Sequence, residues 1–390
     1  MTDADRLMGS YRRWPFLAIV AAVLFSGACQ PDRQAVSSVQ TEIVSATLVP
    51  PAELALPAGL GVTAALRLPG GVHARNYGAR AGQRYLAFGI GLQSADGSEA
   101  PLPAGRKAEY GVADLATGRI VIHRAEQSGA TADINVVFSA PNGEWLVRRE
   151  DRSRPAQACP QSPQYCWDWT LYAQHLPDGP STVIAGSIRP GPQFFLPQPA
   201  LSAQSVLWLD ASTAPAGTAD LVQWQPSRGV SILAKAIPFG RLSATDTDGW
   251  VGTDDRGGHQ LLRIPTNGTA TSTATLPPGS DSAVVRADQV AYIIRPPANA
   301  SVDALTKVVT APSTKPTYST VIFTDHDIYT LNWAGASAVA ISTSTGYLRA
   351  TTTGTSPLPI ALLSGLHNDL GRLTFTIDLN GIQVLAVAHG

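Results

Sequence analysis

The stretch Phe138–Val147 decides which fold class the sequence favours. It runs Phe-Ser-Ala-Pro-Asn-Gly-Glu-Trp-Leu-Val. Asn142-Gly143 supplies the positive φ angles that a tight hairpin needs, and the apolar runs Val136–Phe138 and Trp145–Val147 lie on either side of it. The stretch therefore predicts two antiparallel strands joined by a short turn.

Similar short runs continue along the chain from Leu60 onward. They are rich in β-branched and aromatic residues and are separated by Gly, Pro, Asn, Asp and Ser, and no stretch of a dozen residues keeps an apolar period of 3.6. Frequent short strands with glycine-containing turns indicate a sandwich, a barrel or a propeller. The centres of the predicted strands include Val136–Phe138, Ser205–Leu209, Ala283–Val285, Val290–Ile294, Thr320–Phe323 and Arg372–Ile377.

Recurring turn signals distinguish among these folds. Each follows an apolar strand, and together they end at Gly118, Gly179, Gly229, Gly268 and Gly354. The first four are 61, 50 and 39 residues apart, and the whole series averages about 47 residues per unit, a little above the span of a four-stranded propeller blade. Residues 59–390 are thus predicted to form an all-β propeller of about seven blades. Six blades, or a skewed pair of sandwiches, stay open because the spacing is irregular.

The stretch Phe138–Val147 resembles the turn-and-strand signature of TolB-type and WD-repeat-like propellers, in which an aromatic-Ser-Pro-Asp-Gly turn leads into an apolar strand. Here Ala140 is inserted before the proline, and Asn142 replaces the aspartate. Trp169–Gly179 is similar to the third strand and closing turn of that family, and Gly249–Ile264 repeats the layout. The resemblance implies a rigid ring with loops converging at each face.

Residues 1–28 have the parts of a secretory signal peptide. Arg6, Arg12 and Arg13 precede the apolar run Trp14–Phe25, which is shorter than the roughly 20 apolar residues of a membrane-spanning helix. We predict a cleaved export signal, with an uncleaved anchor as the alternative.

The end of this segment, Ser26-Gly27-Ala28-Cys29, resembles the lipobox of bacterial lipoproteins, although the family prefers Leu where Ser26 stands. The resemblance implies that Cys29 is lipidated and anchors the protein outside the cytoplasm. Residues 29–58 would then be a flexible tether with a reach of about 30 Å, within which Glu42–Leu48 could add a strand to the body. Ser26-x-Ala28 also fits ordinary signal peptidase, which would release a secreted or periplasmic soluble protein.

Cys159 and Cys166 remain as a pair separated by a turn-rich segment. Thiols outside the cytoplasm are generally oxidised, so we predict a structural disulfide that contributes about 2.5 kcal/mol by the chain-entropy model. A metal site is disfavoured, because no second Cys or His pair at ligand spacing accompanies these residues.

Composition and motifs exclude several classes of function. The net charge of −1 disfavours a phosphate-binding surface, so we predict no nucleic-acid partner. The sequence has no Gly-x-Ser-x-Gly elbow, no His-Glu-x-x-His, no phosphate loop and no Gly-x-Gly-x-x-Gly after a strand. We predict no cofactor and no metal, and a role in binding more readily than in catalysis.

Two acidic clusters are the candidates for metal binding or catalysis. Asp246–His259 is dense in oxygen ligands but lacks the further carboxylates of a calcium loop. Asp325-His326-Asp327 has the composition of a general base, although we expect a solvated connection between blades. An exported hydrolase or lyase acting on polysaccharide or peptide would need two or three side chains to converge in one pocket, drawn from Asp246, Asp248, His259, Asp325, His326 and His367.

Trp167, Asp168 and Trp169 follow the cysteine pair on a hairpin that we expect to protrude. Exposed aromatic rings stack on sugars or partner proteins, so these residues are the candidate ligand-binding site. The alternative places one ring in the blade core and the other against the disulfide. The tryptophans predicted to pack between blades are Trp145, Trp208, Trp224, Trp250 and Trp333.

Together these features predict an exported cell-envelope lipoprotein. Its propeller would act as a binding or scaffolding module for an envelope protein or a glycan, and it would meet the membrane through its lipid anchor. The exported enzyme is the alternative.

Overall fold

The computed structural model is a β-propeller of seven blades arranged in a ring, which confirms the predicted fold class and blade number. It describes residues 35–36, 40–54, 61–93, 99–100, 103, 105–154, 166–187, 191–192, 196–203, 205–253, 258–267, 271–334, 337–358, 367–369, 372–379 and 382–389. The predicted signal peptide, Cys29 and Cys159 lie outside these residues. One turn of 3₁₀-helix, Pro51–Glu53, accompanies the strands.

The strands follow one another blade by blade along the chain, and the innermost strand of each blade comes first. The amino-terminal strands are β1 (Ala35–Val36), β2 (Gln40–Ser45), β3 (Thr47–Leu48) and β4 (Gly61–Arg67). Blade 1 contains β5 (His73–Ala81), β6 (Tyr85–Gln93), the short β7 (Glu99–Ala100), β8 (Lys107–Asp114) and β9 (Arg119–Ser128). Blade 2 contains β10 (Thr131–Ala140), β11 (Gly143–Ser153), β12 (Cys166–His175), β13 (Ser181–Gly186) and the short β14 (Gly191–Pro192).

Blades 3 to 7 complete the ring. Blade 3 contains β15 (Ala200–Ser202), β16 (Ser205–Asp210), β17 (Thr218–Gln225) and β18 (Gly229–Pro238), and blade 4 contains β19 (Arg241–Ala244), β20 (Asp248–Gly252), β21 (Gln260–Pro265) and β22 (Ser272–Thr275). Blade 5 contains β23 (Ser280–Arg286), β24 (Gln289–Ile294), β25 (Thr306–Pro312) and β26 (Thr320–Asp325), and blade 6 contains β27 (Ile328–Trp333), β28 (Val339–Thr343), β29 (Gly346–Thr351) and β30 (Gly354–Leu358). Blade 7 begins with β31 (His367–Asp369), β32 (Arg372–Leu379) and β33 (Ile382–His389).

All five predicted turn signals fall where the third strand of a blade turns into the fourth. They belong to blades 1, 2, 3, 4 and 6. The corresponding turn of blade 5, residues 313–319, contains no glycine, which is why the sequence pattern misses it. The centres of the predicted strands all lie within strands of the structure.

The ring is closed by strands from opposite ends of the chain. β4 pairs with β33 in antiparallel register, from Gly61 opposite His389 to Arg67 opposite Val384. Blade 7 thus takes its inner three strands from the carboxyl-terminal part and its outer strands, β4 and β3, from the amino-terminal part. Leu66 and Leu385, which face each other in this pairing, are both buried in one apolar core.

The amino-terminal strands lie within the segment predicted as a tether, in which the sequence also allows Glu42–Leu48 to add a strand to the body. β1 pairs with β13, β2 with β9 and β3 with β4, so they add a further strand to the outer edges of blades 2, 1 and 7. Val49 and Leu54, which follow β3, are each only 5% exposed. Residues 40–54 therefore belong to the propeller, because they satisfy backbone groups that the outer strands would otherwise leave unpaired. We call β1–β3 and the 3₁₀ turn the amino-terminal strap.

Alternation along the strands places apolar side chains on both faces of each blade. On β11, Leu146 faces blade 1 and Val147 faces blade 3, since they belong to two separate cores. Most of the predicted packing tryptophans lie in such cores: Trp208, Trp224, Trp250 and Trp333 are buried, and Trp145 is half-buried. Blade-to-blade contact is therefore mainly apolar.

One glycine fixes how the strap lies on blade 1. Gly118 has φ of 73°, and its carbonyl oxygen accepts a hydrogen bond from the Ala46 amide at 2.8 Å. A Cβ at Gly118 would lie 2.5 Å from the Ala46 carbonyl oxygen. Gly129 has nearly the same φ of 71° but nothing within 4 Å of its Cβ position. Substitutions at these two glycines therefore distinguish the effect of backbone strain, which both share, from the effect of contact with the strap, which only Gly118 makes.

We expect Gly118→Ala to lower the free energy of unfolding by more than Gly129→Ala. Both variants incur the left-handed penalty of about 1–2 kcal/mol, but only Gly118→Ala also displaces the strap. Urea unfolding measures the first effect, and hydrogen exchange of the Val44 and Ala46 amides measures the second. Equal unfolding energies and unchanged exchange would show that the strap does not depend on this contact.

Candidate functional site

The predicted ligand-binding residues lie inside a sheet and not on a protruding hairpin. Trp167, Asp168 and Trp169 belong to β12, where Trp167 pairs with Ser153 of β11. Trp169 is 6% exposed, in the core between blades 2 and 3, and Trp167 is half-buried against that core. The ring of Trp169 is thus a packing group, and a binding role for the partly exposed Trp167 and Asp168 stays a prediction.

Charged and sulfur groups surround the same strand end. The Asp168 carboxylate accepts hydrogen bonds from the guanidinium groups of Arg152, at 3.4 Å, and Arg154, at 2.6 Å from Nε. Cys166 opens β12 and is buried. Because Cys159 lies outside the described residues, the disulfide between these two cysteines stays a prediction.

The acidic residues considered for catalysis or metal binding are spread over several blades. Asp248 of blade 4 is buried and pairs with Arg263 at 3.0 Å, whereas Asp246 is exposed. The ring of His259 lies 3.3 Å from the Ser280 carbonyl oxygen through Nδ1. His367 begins β31 in blade 7. Within the part of the chain that the structure describes, no three His, Cys, Asp or Glu side chains form a group that could hold a metal ion.

Asp325 is the last residue of β26, and His326 and Asp327 connect it to β27, which is the connection between blades 5 and 6. His326 and Asp327 are exposed, and Asp325 Oδ1 accepts a hydrogen bond from the His326 amide at 2.6 Å. The carboxylate thus closes its own turn. The expected solvated connection between blades is what the structure contains here.

A concave site lies between turns of two neighbouring blades. It has a volume of about 370 Å³ and is formed by the β10–β11 turn of blade 2 and the β17–β18 turn of blade 3. Its lining residues are Ala140, Pro141, Asn142, Gln225, Pro226, Ser227 and Arg228. This volume is within the range of small-ligand sites, and we call it the blade 2–3 pocket.

The blade 2 wall of the pocket is held by bonds that need no ligand. Trp145 Nε1 donates to Asn142 Oδ1 at 3.0 Å, and His175 Nε2 donates to the Asn142 carbonyl oxygen at 2.8 Å. Gly143 has φ of 122°, and a Cβ there would meet the His175 ring at 2.5 Å. Gly143 is therefore required both by the positive φ of the turn and by the neighbouring His175 ring.

Aromatic packing sets the distance between the two walls. Trp224, immediately before the blade 3 turn, meets Trp145 edge to face with ring centroids 5.6 Å apart, and meets Phe138 in the same manner at 6.2 Å. The blade 3 turn itself is closed by a hydrogen bond from the Arg228 amide to the Gln225 carbonyl oxygen at 3.2 Å. Both walls are thus pre-organised.

The pocket lining is rich in hydrogen-bond donors. The indole of Trp145 can only donate, so the Asn142 amide must turn its oxygen toward it, and both Nδ2 protons remain for other partners. Ser227 and Arg228 are exposed, and Arg228 takes part in none of the ion pairs among the described residues. Such a lining suits a ligand that offers acceptor oxygens.

A buried carboxylate joins blade 2 to blade 1 beside this turn. Glu144 accepts hydrogen bonds from the backbone amides of Gln83, of Arg84 at 3.0 Å and of Tyr85 at 2.8 Å, and from the Ser139 hydroxyl at 3.1 Å. These amides belong to the β5–β6 turn. The Glu144 carboxylate thus provides hydrogen-bond acceptors for the backbone amides of that turn.

A second buried group lies deeper between the same blades. Arg148, fully buried, is sandwiched between the rings of Tyr110 and Tyr172 at 4.8 and 4.6 Å, and its guanidinium lies 3.1 Å from Glu150. The Glu150 carboxylate also accepts a hydrogen bond from the Glu126 amide at 2.9 Å. Glu126 lies where the β8–β9 pairing shifts register. Burial raises the pKa of the Tyr110 hydroxyl and of the Glu126 carboxyl. These contacts are structural.

His123 borders this group and is held neutral by its surroundings. Its ring stacks on Tyr110 with centroids 5.1 Å apart, and Nε2 lies 2.9 Å from the Pro177 carbonyl oxygen. Burial lowers the pKa of His123, because the charged ring would lose its hydration. A role in proton transfer to bulk solvent is disfavoured by this enclosure.

The sequence predicts both pocket turns, Asn142-Gly143 and Gln225–Gly229, each on its own blade, but does not show that the two turns meet. The signal that could have found the pocket is the ring itself, which places the first turn of one blade beside the last turn of the next. Glu144 and Arg148 gave no sequence signal, because charged residues in strands are more often exposed.

Comparisons with known proteins give likenesses of fold. No protein-family model matches the chain, and no curated protein matches it. A solved prolyl endopeptidase is 13% identical with a TM-score of 0.48, over 82% of this chain and 46% of that one. BamB from Moraxella catarrhalis is 12% identical with a TM-score of 0.44, over 85% and 100%, and a puromycin hydrolase is 12% identical with a TM-score of 0.42, over 73% and 53%.

The chain spans about half the length of the endopeptidase and of the puromycin hydrolase. The propeller part of the predicted resemblance is confirmed, and its TolB-type character stays a prediction. Among the described residues no helix has the length and apolar character needed to cross a membrane.

We expect Glu144→Gln to destabilise the protein by about 2–3 kcal/mol. The amide would set a donor against backbone donors in a buried position. Glu109→Gln is the matched control, because Glu109 forms a single surface pair with Arg124 at 3.2 Å and should change stability by less than about 1 kcal/mol. Thermal and urea unfolding check both variants, and a loss at Glu144 no larger than at Glu109 would contradict the assigned role.

Proposed function

We propose that this protein is an exported cell-envelope lipoprotein whose propeller is a binding or scaffolding module for a protein or glycan partner. The observation that carries the proposal is the blade 2–3 pocket, whose two walls are fixed by hydrogen bonds and ring contacts within the protein. The pocket is the contact site that we assign to the partner.

A pocket that is rigid before binding favours recognition. A partner that meets fixed groups does not need to order them, so less of the interaction energy is lost on association. Trp145 connects both walls, since it bonds to Asn142 and packs on Trp224. These contacts support a binding role for the pocket without requiring any chemical step there.

The export features of the sequence support the location. The basic region, the apolar run and Cys29 are those of a lipoprotein signal, as argued above. Because the strap begins to pair at Ala35, only residues 30–34 separate Cys29 from the first paired strand. That is at most about 20 Å of extended chain, so a lipidated Cys29 would hold the propeller close to the membrane surface.

The anchor is tested by the mass of the mature protein. In the membrane fraction we expect a chain that begins at Cys29 and carries a diacylglyceryl-sized addition, and we expect Cys29→Ser to lose both the cleavage and the addition. Alkylation without reductant should leave Cys159 and Cys166 unmodified. An unprocessed chain with three reactive thiols would overturn the export proposal.

The contact site is tested by photo-crosslinking in cells. A photoreactive amino acid in place of Ser227 should give a discrete adduct with the partner. The same residue in place of Ala116, which is exposed on the corresponding turn of blade 1, is the matched control and should give none. Adducts of equal yield at both positions, or none at Ser227, would contradict the assignment of the pocket.

A further inference from the structure

We propose that the blade 2–3 pocket binds an acidic segment of an extended peptide, with a side-chain carboxylate held by Arg228 and Asn142. The inference rests on the proposed binding function and names the chemical class of the ligand. It follows from the orientation of the donors, from the unbalanced charge of the lining and from the packing of the aromatic rings.

Donor orientation is the first argument. Trp145 Nε1 donates to Asn142 Oδ1 at 3.0 Å, which commits the oxygen of that amide and leaves its two Nδ2 protons. Arg228 adds the five donors of a guanidinium, a planar group that matches a carboxylate in a bidentate manner. Ser227 contributes a hydroxyl to the same lining. A carboxylate offers acceptor oxygens only, so it complements this set.

Charge is the second argument. Arg228 is the one charged residue among the seven that line the pocket. Two acidic residues beside turns of other blades are engaged, Asp114 with Arg84 at 2.8 Å and Asp248 with Arg263 at 3.0 Å. The positive charge of Arg228 is not balanced by an ion pair with any described residue, and an anionic ligand would supply the balance.

Aromatic packing favours a peptide over a sugar. Sugars bind best on an open ring face, but Trp145 packs edge to face against both Trp224, at 5.6 Å, and His175, at 5.3 Å. The apolar groups that the pocket does present are Ala140, Pro141 and Pro226. These suit the aliphatic parts of a peptide, which need contact area but no stacking face.

The test uses the processed full-length protein in detergent and fluorescence anisotropy. The probe is a fluorescein-labelled Ala-Glu-Pro-Glu-Ala peptide, and its neutral counterpart is Ala-Gln-Pro-Gln-Ala. We expect the Glu peptide to bind about tenfold more tightly than the Gln peptide, since a charge-assisted bidentate contact is replaced by a neutral one. The preference should decrease as salt rises.

Three variants separate the role of Arg228 from general electrostatics. Arg228→Gln should remove the preference for the Glu peptide, and Arg228→Lys should keep only part of it, because lysine retains the charge without the fork. Arg119→Gln is the matched control, since Arg119 is exposed and follows the corresponding turn of blade 1. It should leave the preference within twofold. Unfolding curves of all three should match the wild type.

Equal affinity for the two peptides, or a preference that survives Arg228→Gln, would overturn the inference. Binding of polygalacturonate in place of the Glu peptide, lost in Arg228→Gln, would also overturn it by assigning the pocket to an acidic glycan. The crosslinking at position 227 distinguishes an error in the ligand class from an error in the contact site. A partner adduct without carboxylate preference leaves the binding module intact and refutes the ligand class, whereas absence of any adduct refutes the assignment of the pocket as the contact site.

Discussion

The pairing of β4 with β33 is the constraint on which the rest of the molecule depends. Each blade buries apolar faces only against its two neighbours, so an open ring would expose the facing cores of blades 7 and 1. Gln383 of β33 adds two contacts to the amino-terminal part, since its carbonyl oxygen accepts from Leu68 N at 3.1 Å and its Oε1 accepts from Ala74 N at 2.8 Å. The partners lie more than 300 residues apart in sequence, so closure has a large loop entropy to overcome. The blade-to-blade cores offset that cost only when every blade is in place.

Outer strands of a propeller expose backbone groups, and this chain protects them in two ways. The strap covers the outer edges of blades 7, 1 and 2. On the other blades the described residues place no strand beyond β18, β22, β26 or β30. There the edges carry other features that discourage pairing with a second chain. The pairing of β18 and of β26 with the preceding strand shifts register, β22 is short, and Pro357 removes a donor from β30.

How much could be predicted from the sequence differs between the fold and the site. Turn chemistry is local, so Gly118, Gly179 and Gly229 are sufficient to indicate repeated hairpins, whereas the turn of blade 5 contains no glycine and gives no such signal. The scattered apolar residues of the strap favour a tether and leave a strand at Glu42–Leu48 open, because backbone pairing to existing edges requires little apolar surface. Trp169 is a candidate for recognition in the sequence because its burial depends on packing against blade 3, which a local pattern does not show. The blade 2–3 pocket could not be predicted, because it exists only where two separately recognised turns meet.

The distribution of charge explains why blade 2 can present a fixed site. Consecutive arginines on β11 point to opposite faces: Arg148 is held by Glu150 toward blade 1, and Arg149 donates to the Pro197 carbonyl oxygen, just before blade 3, at 2.6 Å. Burying two guanidinium groups is costly unless each finds anionic or aromatic partners, and Arg149 also has Asp133 and Asp151 within 3.2 Å. Paired in this way, the two charges lock blade 2 to both of its neighbours. Arg228, by contrast, lies at the surface and forms no ion pair with a described residue. Its charge is therefore available to a ligand, and the facing turn of blade 2 is fixed by its own hydrogen bonds.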